Sequence, residues 1–195
     1  ADLLDAAIEK LEKAGHGVAA FICDGIFDSQ GTLTAPQNYF KRVYEKVRAA
    51  GGMCVADEVQ PGFGRLGEHM WGFEHYDVLP DIVTLGKPMG GGHPVAGVVT
   101  SKETAEAFFN QDFYFNTFGG NPVAAAVAES VLSVIEEEGL QQNAREVGIY
   151  LRAELEKLAE KQPLIGDIRG RGLSFGVELV HDRETLDPAY REARA

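Results

Sequence analysis

Two side chains of opposite charge stand where they could do chemistry. Lys87 closes the run Asp81-Ile82-Val83-Thr84-Leu85-Gly86 and opens Pro88-Met89-Gly90-Gly91-Gly92-His93-Pro94. Upstream, Met53-Cys54-Val55-Ala56 runs into Asp57-Glu58-Val59-Gln60. Short apolar runs bounded by turn formers predict buried strands. In open α/β sheets, ligands collect outside the carboxyl ends of the strands. A lysine at such an edge, flanked by glycines, is a candidate Schiff-base nucleophile. A carboxylate removed from water there needs a cationic partner or hydrogen-bond donors. Taken singly, Asp57 could be a loop cap and Lys87 a solvated charge; their pairing gives them a joint use.

The elements that must position them follow from periodicity. Leu3, Leu4, Ala7, Ile8 and Leu11 predict an amphipathic helix over 2–14, stopped by Gly15 and Gly17. The run 18–23 predicts a strand covered on both faces. A loop with Gly25, Asp28, Ser29 and Gly31 leads to Pro36. Pro36 is expected to open a helix to about Ala50, with Tyr39, Phe40, Val43, Tyr44 and Val47 on one face. Gly51-Gly52 stops it. The strand 53–56 then completes a βαβ unit with parallel strands and a right-handed crossover. The segment 61–79 is loop-like, with Trp71, Phe73 and Tyr76 closing it over the core. A strand at 81–85 is followed so soon by another at 95–100 that the two must be antiparallel, because a parallel crossover needs about a dozen residues or more. Ser101 is placed as an N-cap. A glycine-containing loop over 113–121 leads into a helix over 122–138, apolar enough to be buried on most sides. A charged amphipathic helix over 140–161 ends before Pro163. The glycine-bearing stretch 165–180 alternates and predicts a strand pair with close backbone approach. The last fifteen residues read as a loop or fraying helix. A composition shift near residue 140 predicts two units, 1–139 and 140–195.

Pyridoxal 5'-phosphate (PLP) needs both side-chain types: a lysine for covalent attachment, and an Asp or Glu that keeps the pyridine nitrogen protonated as an electron sink. The surrounding motifs carry a resemblance. Ala56-Asp57-Glu58-Val59-Gln60, Gly62-Phe63-Gly64-Arg65, Pro80 to Lys87, Gly92-His93-Pro94, Thr117-Phe118-Gly119-Gly120-Asn121-Pro122 and Gly166 to Leu173 occur in the order and spacing of the class III PLP-dependent aminotransferases. The sequence resembles that family from about Val18 to Asp182. The resemblance implies a fold-type I α/β architecture: part of a large cofactor domain with a mostly parallel sheet, plus the start of a small α+β domain. It implies that Lys87 anchors PLP and shuttles a proton, and that Asp57 holds the pyridine nitrogen. Val59 would pack on one ring face, and Gln60 would bond near the phenolic oxygen. Thr117 would reach the phosphate in a neighbouring subunit, which makes a homodimer with a shared site the expected assembly. The implied reaction moves an amino group from an amine or amino acid to a 2-oxo acid. A lyase, aminomutase or epimerase reaction on the same fold is the alternative, as is a non-catalytic fragment.

The chain departs from the family pattern in places. Asp24-Gly25 stands where a Glu-Pro pair is usual, Ser29 where many members carry a gating glutamate, and Gly91 where Asn is common. Family members are more than twice this long. Their glycine-rich phosphate cradle, ring-stacking aromatic and carboxylate-binding arginine would fall before Ala1 or after Ala195, so an internal piece of a longer enzyme is expected. Arg169 and Arg171 are assigned to structure. His93 is read as a turn residue, and His16, His69 and His75 as surface or packing. The cluster Phe108, Phe109, Phe113, Tyr114 and Phe115 is either core or a dimer interface; the interface is favoured because the segment leads into Thr117.

Composition bounds the rest. Over 195 residues the net charge is −12, which argues against nucleic acid, since phosphate contact needs a basic stripe. No apolar stretch is long enough to span a bilayer. Cys23 and Cys54 lie inside apolar runs, with no CxxC or HxxxH spacing in the chain. They read as buried thiols of a reducing compartment, so no metal site and a cytoplasmic location are expected.

Overall fold

The computed structural model describes residues 2–194. Helix α1 (Asp2–Lys13) precedes β1 (Ala20–Cys23), α2 (Tyr39–Ala49) and β2 (Met53–Asp57), the predicted βαβ unit. β2 pairs in parallel with β1 and with β3 (Ile82–Leu85). β4 (Gly97–Thr100) pairs antiparallel with β3 and completes the order β1-β2-β3-β4. α2 starts three residues later than Pro36 suggests. Asn38 caps it at φ 60, and the Tyr39 N–H donates to the Pro36 carbonyl at 3.0 Å. The proline therefore initiates a turn, closed by an asparagine that tolerates the left-handed region, and the helix follows that turn.

α2 lays Phe40, Val43, Tyr44 and Val47 on one sheet face, against Ala35 and Cys54. Its last turn carries Arg48, whose Nη2 lies 3.0 Å from Asp81 Oδ1, while Asp81 Oδ2 accepts the Cys54 N–H at 2.7 Å. Asp81 thus joins α2, β2 and the start of β3. The other sheet face is open at its outer strands among the described residues, where Ile22 is 61% and Val98 65% exposed, while Val55 of the inner strand is buried. The double cover expected for β1 is absent because α2 packs on one side only. Strand alternation puts Val55 and Asp57 on this second face, opposite Cys54 and Ala56.

α3 (Lys102–Gln111) is capped as predicted, with Ser101 Oγ accepting the Thr104 N–H at 3.2 Å. α4 (Pro122–Glu137) differs from expectation. Only Ala124 and Ala128 are buried, and Val123 is 64% exposed. Its apolar surface is wider than the elements that cover it among the described residues. α5 (Leu140–Lys161) leads to a second, antiparallel sheet of β5 (Ile165–Arg171), β6 (Ser174–Asp182) and β7 (Asp187–Pro188). The final stretch therefore holds a short strand and a 3₁₀ turn, Glu192–Arg194, in place of the loop or frayed helix. Two glycines let the β5–β6 turn dock. A Cβ on Gly148 of α5 would stand 2.2 Å from the Gly172 carbonyl oxygen, and one on Gly172 (φ 51) would stand 2.4 Å from the Arg65 oxygen. The Leu173 N–H also donates to that Arg65 oxygen at 3.0 Å. The hairpin is thereby tied to the loop that follows β2.

Candidate active site

Lys87 and Asp57 lie at the carboxyl ends of neighbouring parallel strands. Asp57 is in register with Thr84 of β3, three residues before Lys87. The chain leaves β3 through Gly86 and turns at Lys87, which opens a 3₁₀ turn, Lys87–Gly90. Lys87 adopts φ 33, a left-handed conformation that is strained for a side-chain-bearing residue. Such strain persists only where surrounding structure holds it, and it clusters at functional sites. The lysine is exposed and has no ion-pair or hydrogen-bond partner among the described residues. Half-buried Asp57 uses Oδ1 to accept the Val59 N–H at 3.0 Å, and Oδ2 has no hydrogen-bond donor among the described residues. The Val59 side chain packs beside Gly86, where a Cβ would stand 3.6 Å from Val59 Cγ2. Val59 thus touches both Asp57 and Gly86, the residue before Lys87.

Gln60 is held elsewhere as well. Its Nε2 donates to Asp28 Oδ2 at 2.9 Å, linking the residues after β2 to the 3₁₀ turn Asp28–Gln30 after β1. Asp24 shapes that turn, because its Oδ1 accepts the N–H groups of Ile26 (2.9 Å) and Asp28 (3.2 Å). Tyr76 fills the space beside Gly25, where a Cβ would stand 3.2 Å from Tyr76 Cε2, and its hydroxyl donates to the Gly25 carbonyl. An aromatic ring thus closes the position usual for proline in the family. Thr117 is exposed in the loop between α3 and α4, and no hydrogen bond joins it to Lys87, Asp57 or Gln60. That loop is organised by Asn116, whose Oδ1 accepts the N–H groups of Phe118 and Gly119, and by the N-cap Asn121. Arg169 is structural as expected: it pairs with Asp167 and Glu178 and donates to the Gly31 carbonyl.

Glu58 is the residue that sequence reasoning passed over. It is 1% exposed, and its carboxylate accepts the Gly72 N–H at 2.7 Å and the Phe73 N–H at 2.9 Å. It anchors the 3₁₀ turn Gly72–Tyr76, and with it Trp71 and Tyr76, to the end of β2. Burial pushes its pKa up to about 7, against the pull of the two amide donors. The sign of the consequence is definite. Between its ordinary value of 4.5 and about 7 the folded chain binds more protons than the unfolded one, so this contribution to stability is complete below 4.5 and lost as pH rises to 7. The expected size is up to about 3 kcal/mol. In Glu58→Gln that component of the pH dependence should vanish. Urea unfolding of both proteins from pH 4.5 to 8 tests it; parallel profiles would count against a buried, titrating Glu58.

A family model described as "Aminotransferase class-III" matches residues 1–194. The chain belongs to the class III aminotransferases. It is 53% identical to "Alanine--glyoxylate aminotransferase 2-like" of Drosophila melanogaster over 92% of its own length and 36% of the relative's. The chain thus spans about a third of the length of that curated relative. Among solved structures it is similar to an Arthrobacter phospholyase in complex with phosphoethanolamine, with TM-score 0.91 and 45% identity over 95% of this chain and 44% of that one. A taurine:2-oxoglutarate aminotransferase from Bifidobacterium kashiwanohense, in complex with PLP and glutamate, superimposes with TM-score 0.86 at 29% identity, over 96% of this chain and 42% of that one. The α/β fold is therefore that of the fold-type I PLP enzymes. Class III aminotransferases are PLP-dependent. The donor set here fits that cofactor: a lysine in a strained turn and a carboxylate oxygen on the adjacent strand end, both without a partner among the described residues.

Proposed function

We propose that this chain carries the lysine and carboxylate part of a PLP-dependent transaminase site, which moves an amino group from an amine or amino acid to a 2-oxo acid. The observation that carries the reading is the pair at the strand ends: strained, unpaired Lys87 beside the half-buried Asp57 carboxylate. PLP, when bound, supplies the electron sink. Lys87 Nζ would anchor it and then take the proton from the substrate Cα. Asp57 Oδ2 would hold the proton on the pyridine nitrogen. Val59 would cover one ring face, and the second Nε2 hydrogen of Gln60 would reach the phenolic oxygen while the first stays on Asp28. Thr117 would serve the phosphate of a second subunit in a homodimer. Exposure of Phe113 (92%) beside that loop supports an interface there over a place in this chain's core. Residues 1–139 would belong to the cofactor domain, and 140–195 would begin the small domain.

One observation favours a second reading. The solved Arthrobacter relative, at 45% identity, is a phospholyase. Elimination from phosphoethanolamine gives acetaldehyde, ammonia and phosphate, with no acceptor. Transamination leaves nitrogen on the acceptor and requires one. The PLP-loaded protein should convert alanine to pyruvate beyond one equivalent per site only when a 2-oxo acid such as glyoxylate is present to take the amino group back off the cofactor. Ammonia and phosphate released from phosphoethanolamine without acceptor would overturn transamination in favour of elimination.

A further inference from the structure

A cluster apart from Lys87 lies where the loop after β2 meets the end of β5. Glu68, His69 and His75 each place one ligand-type atom within 4.8 Å of the others. His75 Nδ1 is 3.3 Å from Glu68 Oε2 and 3.3 Å from Arg171 Nη1, and Arg171 Nη1 is 3.7 Å from Glu68 Oε2. Arginine can only donate, so its contact calls for the lone pair on Nδ1, whereas Glu68 Oε2 at the same distance calls for a proton there; one nitrogen atom faces both. That Nε2 is buried and has no partner, and the His75 side chain is only 2% exposed. A buried polar nitrogen without a partner costs about 1–3 kcal/mol in either tautomer, so packing holds this ring with Nδ1 facing Glu68 and Arg171 against that cost.

The Glu68–His75 spacing fits a shared metal ion better than it fits direct bonding. Contacts of 3.3–3.7 Å are loose for charged pairs. Two ligands bound tetrahedrally at about 2.1 Å stand about 3.4 Å apart, which matches the 3.3 Å between Glu68 Oε2 and His75 Nδ1. Two imidazoles and one carboxylate are the donor set of a three-ligand zinc site with an open fourth position, and they disfavour Mg²⁺ and Ca²⁺. The net charge of −12 adds a general attraction for cations.

We infer that Glu68, His69 and His75 bind a borderline transition-metal ion of the Zn²⁺ type, and that the ion competes with the Arg171 guanidinium for Glu68 and His75. Arg171 is 42% exposed and can swing out to solvent. Binding would therefore replace the Arg171 contact between hairpin and loop with a metal clip confined to the loop. Neither chain spacing nor residue type announces the cluster: His69 and His75 are six apart, and the 3₁₀ turn Gly72–Tyr76, held by Glu58, folds them together. Their rings meet edge to face at 4.7 Å.

The test is calorimetric titration of the untagged protein with ZnCl₂, with MgCl₂ as control. One zinc per chain is expected, and no magnesium. Glu68→Ala and His69→Ala, both at exposed positions, should each weaken zinc by at least about tenfold. Arg171→Ala should tighten it, a sign that a merely structural ion pair does not predict. No zinc binding by the wild type, or one-to-one binding unchanged in both Glu68→Ala and His69→Ala, overturns the site. Unchanged affinity in Arg171→Ala overturns the competition.

Discussion

Replacing Lys87 by alanine is expected to abolish covalent PLP attachment and to lower transamination by several orders of magnitude. The stability of the protein should barely change. Lys87 is exposed and bonded to nothing among the described residues, and surface substitutions away from special features stay within about 0.5 kcal/mol. The backbone strain at φ 33 remains in the variant, because alanine meets the same clash. Chemistry and folding therefore separate cleanly at this position. Wild-type protein mixed with PLP should develop a visible absorption band, and borohydride reduction should fix the cofactor on the peptide containing Lys87. The variant should show only the spectrum of free PLP with an unchanged unfolding midpoint. A variant that keeps the band, or whose reduced cofactor sits on another lysine, would sink the assignment.

The prominence of Lys87 and Asp57 in the sequence has a physical basis. Each ends an apolar run of strand length and is followed by turn chemistry, so strand end and charge are read from the same few residues. The antiparallel turn of β4 was legible too, since 86–96 is too short for a crossover. Burial was harder to read. Asp57 and Glu58 are adjacent acids, yet one is half-buried with a spare oxygen and the other is sealed under Gly72 and Phe73. That difference comes from a loop fourteen residues away, which no local pattern encodes. The open faces of β1 and α4 were missed for a related reason: an apolar run shows what can be buried, and only the fold shows what is there to bury it. The link from Gln60 to Asp28 likewise spans two loops and depends on the Asp24 cap that shapes the second. Side-chain type was legible at these sites, whereas the partner of each side chain had to come from tertiary structure.

Asp57→Asn carries the second large expectation, and its value lies in what it leaves intact. Asparagine can still accept the Val59 N–H through Oδ1, so the turn after β2 should survive. What changes is charge. The anionic Oδ2 becomes an amide nitrogen, which cannot accept the hydrogen bond of a protonated ring and presents a donor in its place. A hydrogen bond to a charged group contributes about 1.5–3 kcal/mol, so turnover should fall by roughly one to two orders of magnitude. Lys87 is untouched, and covalent attachment with its visible band should therefore persist. The two variants make opposite spectroscopic predictions from neighbouring strand ends: Lys87→Ala loses the band, while Asp57→Asn keeps it and loses rate. Asp57→Glu offers a further check, because it restores the charge at the cost of one extra methylene in the turn, and should recover part of the rate that asparagine loses. Wild-type turnover in Asp57→Asn would show that Asp57 serves only as the cap of its own turn. A glutamate variant no faster than asparagine would show that oxygen placement at this strand end matters more than charge.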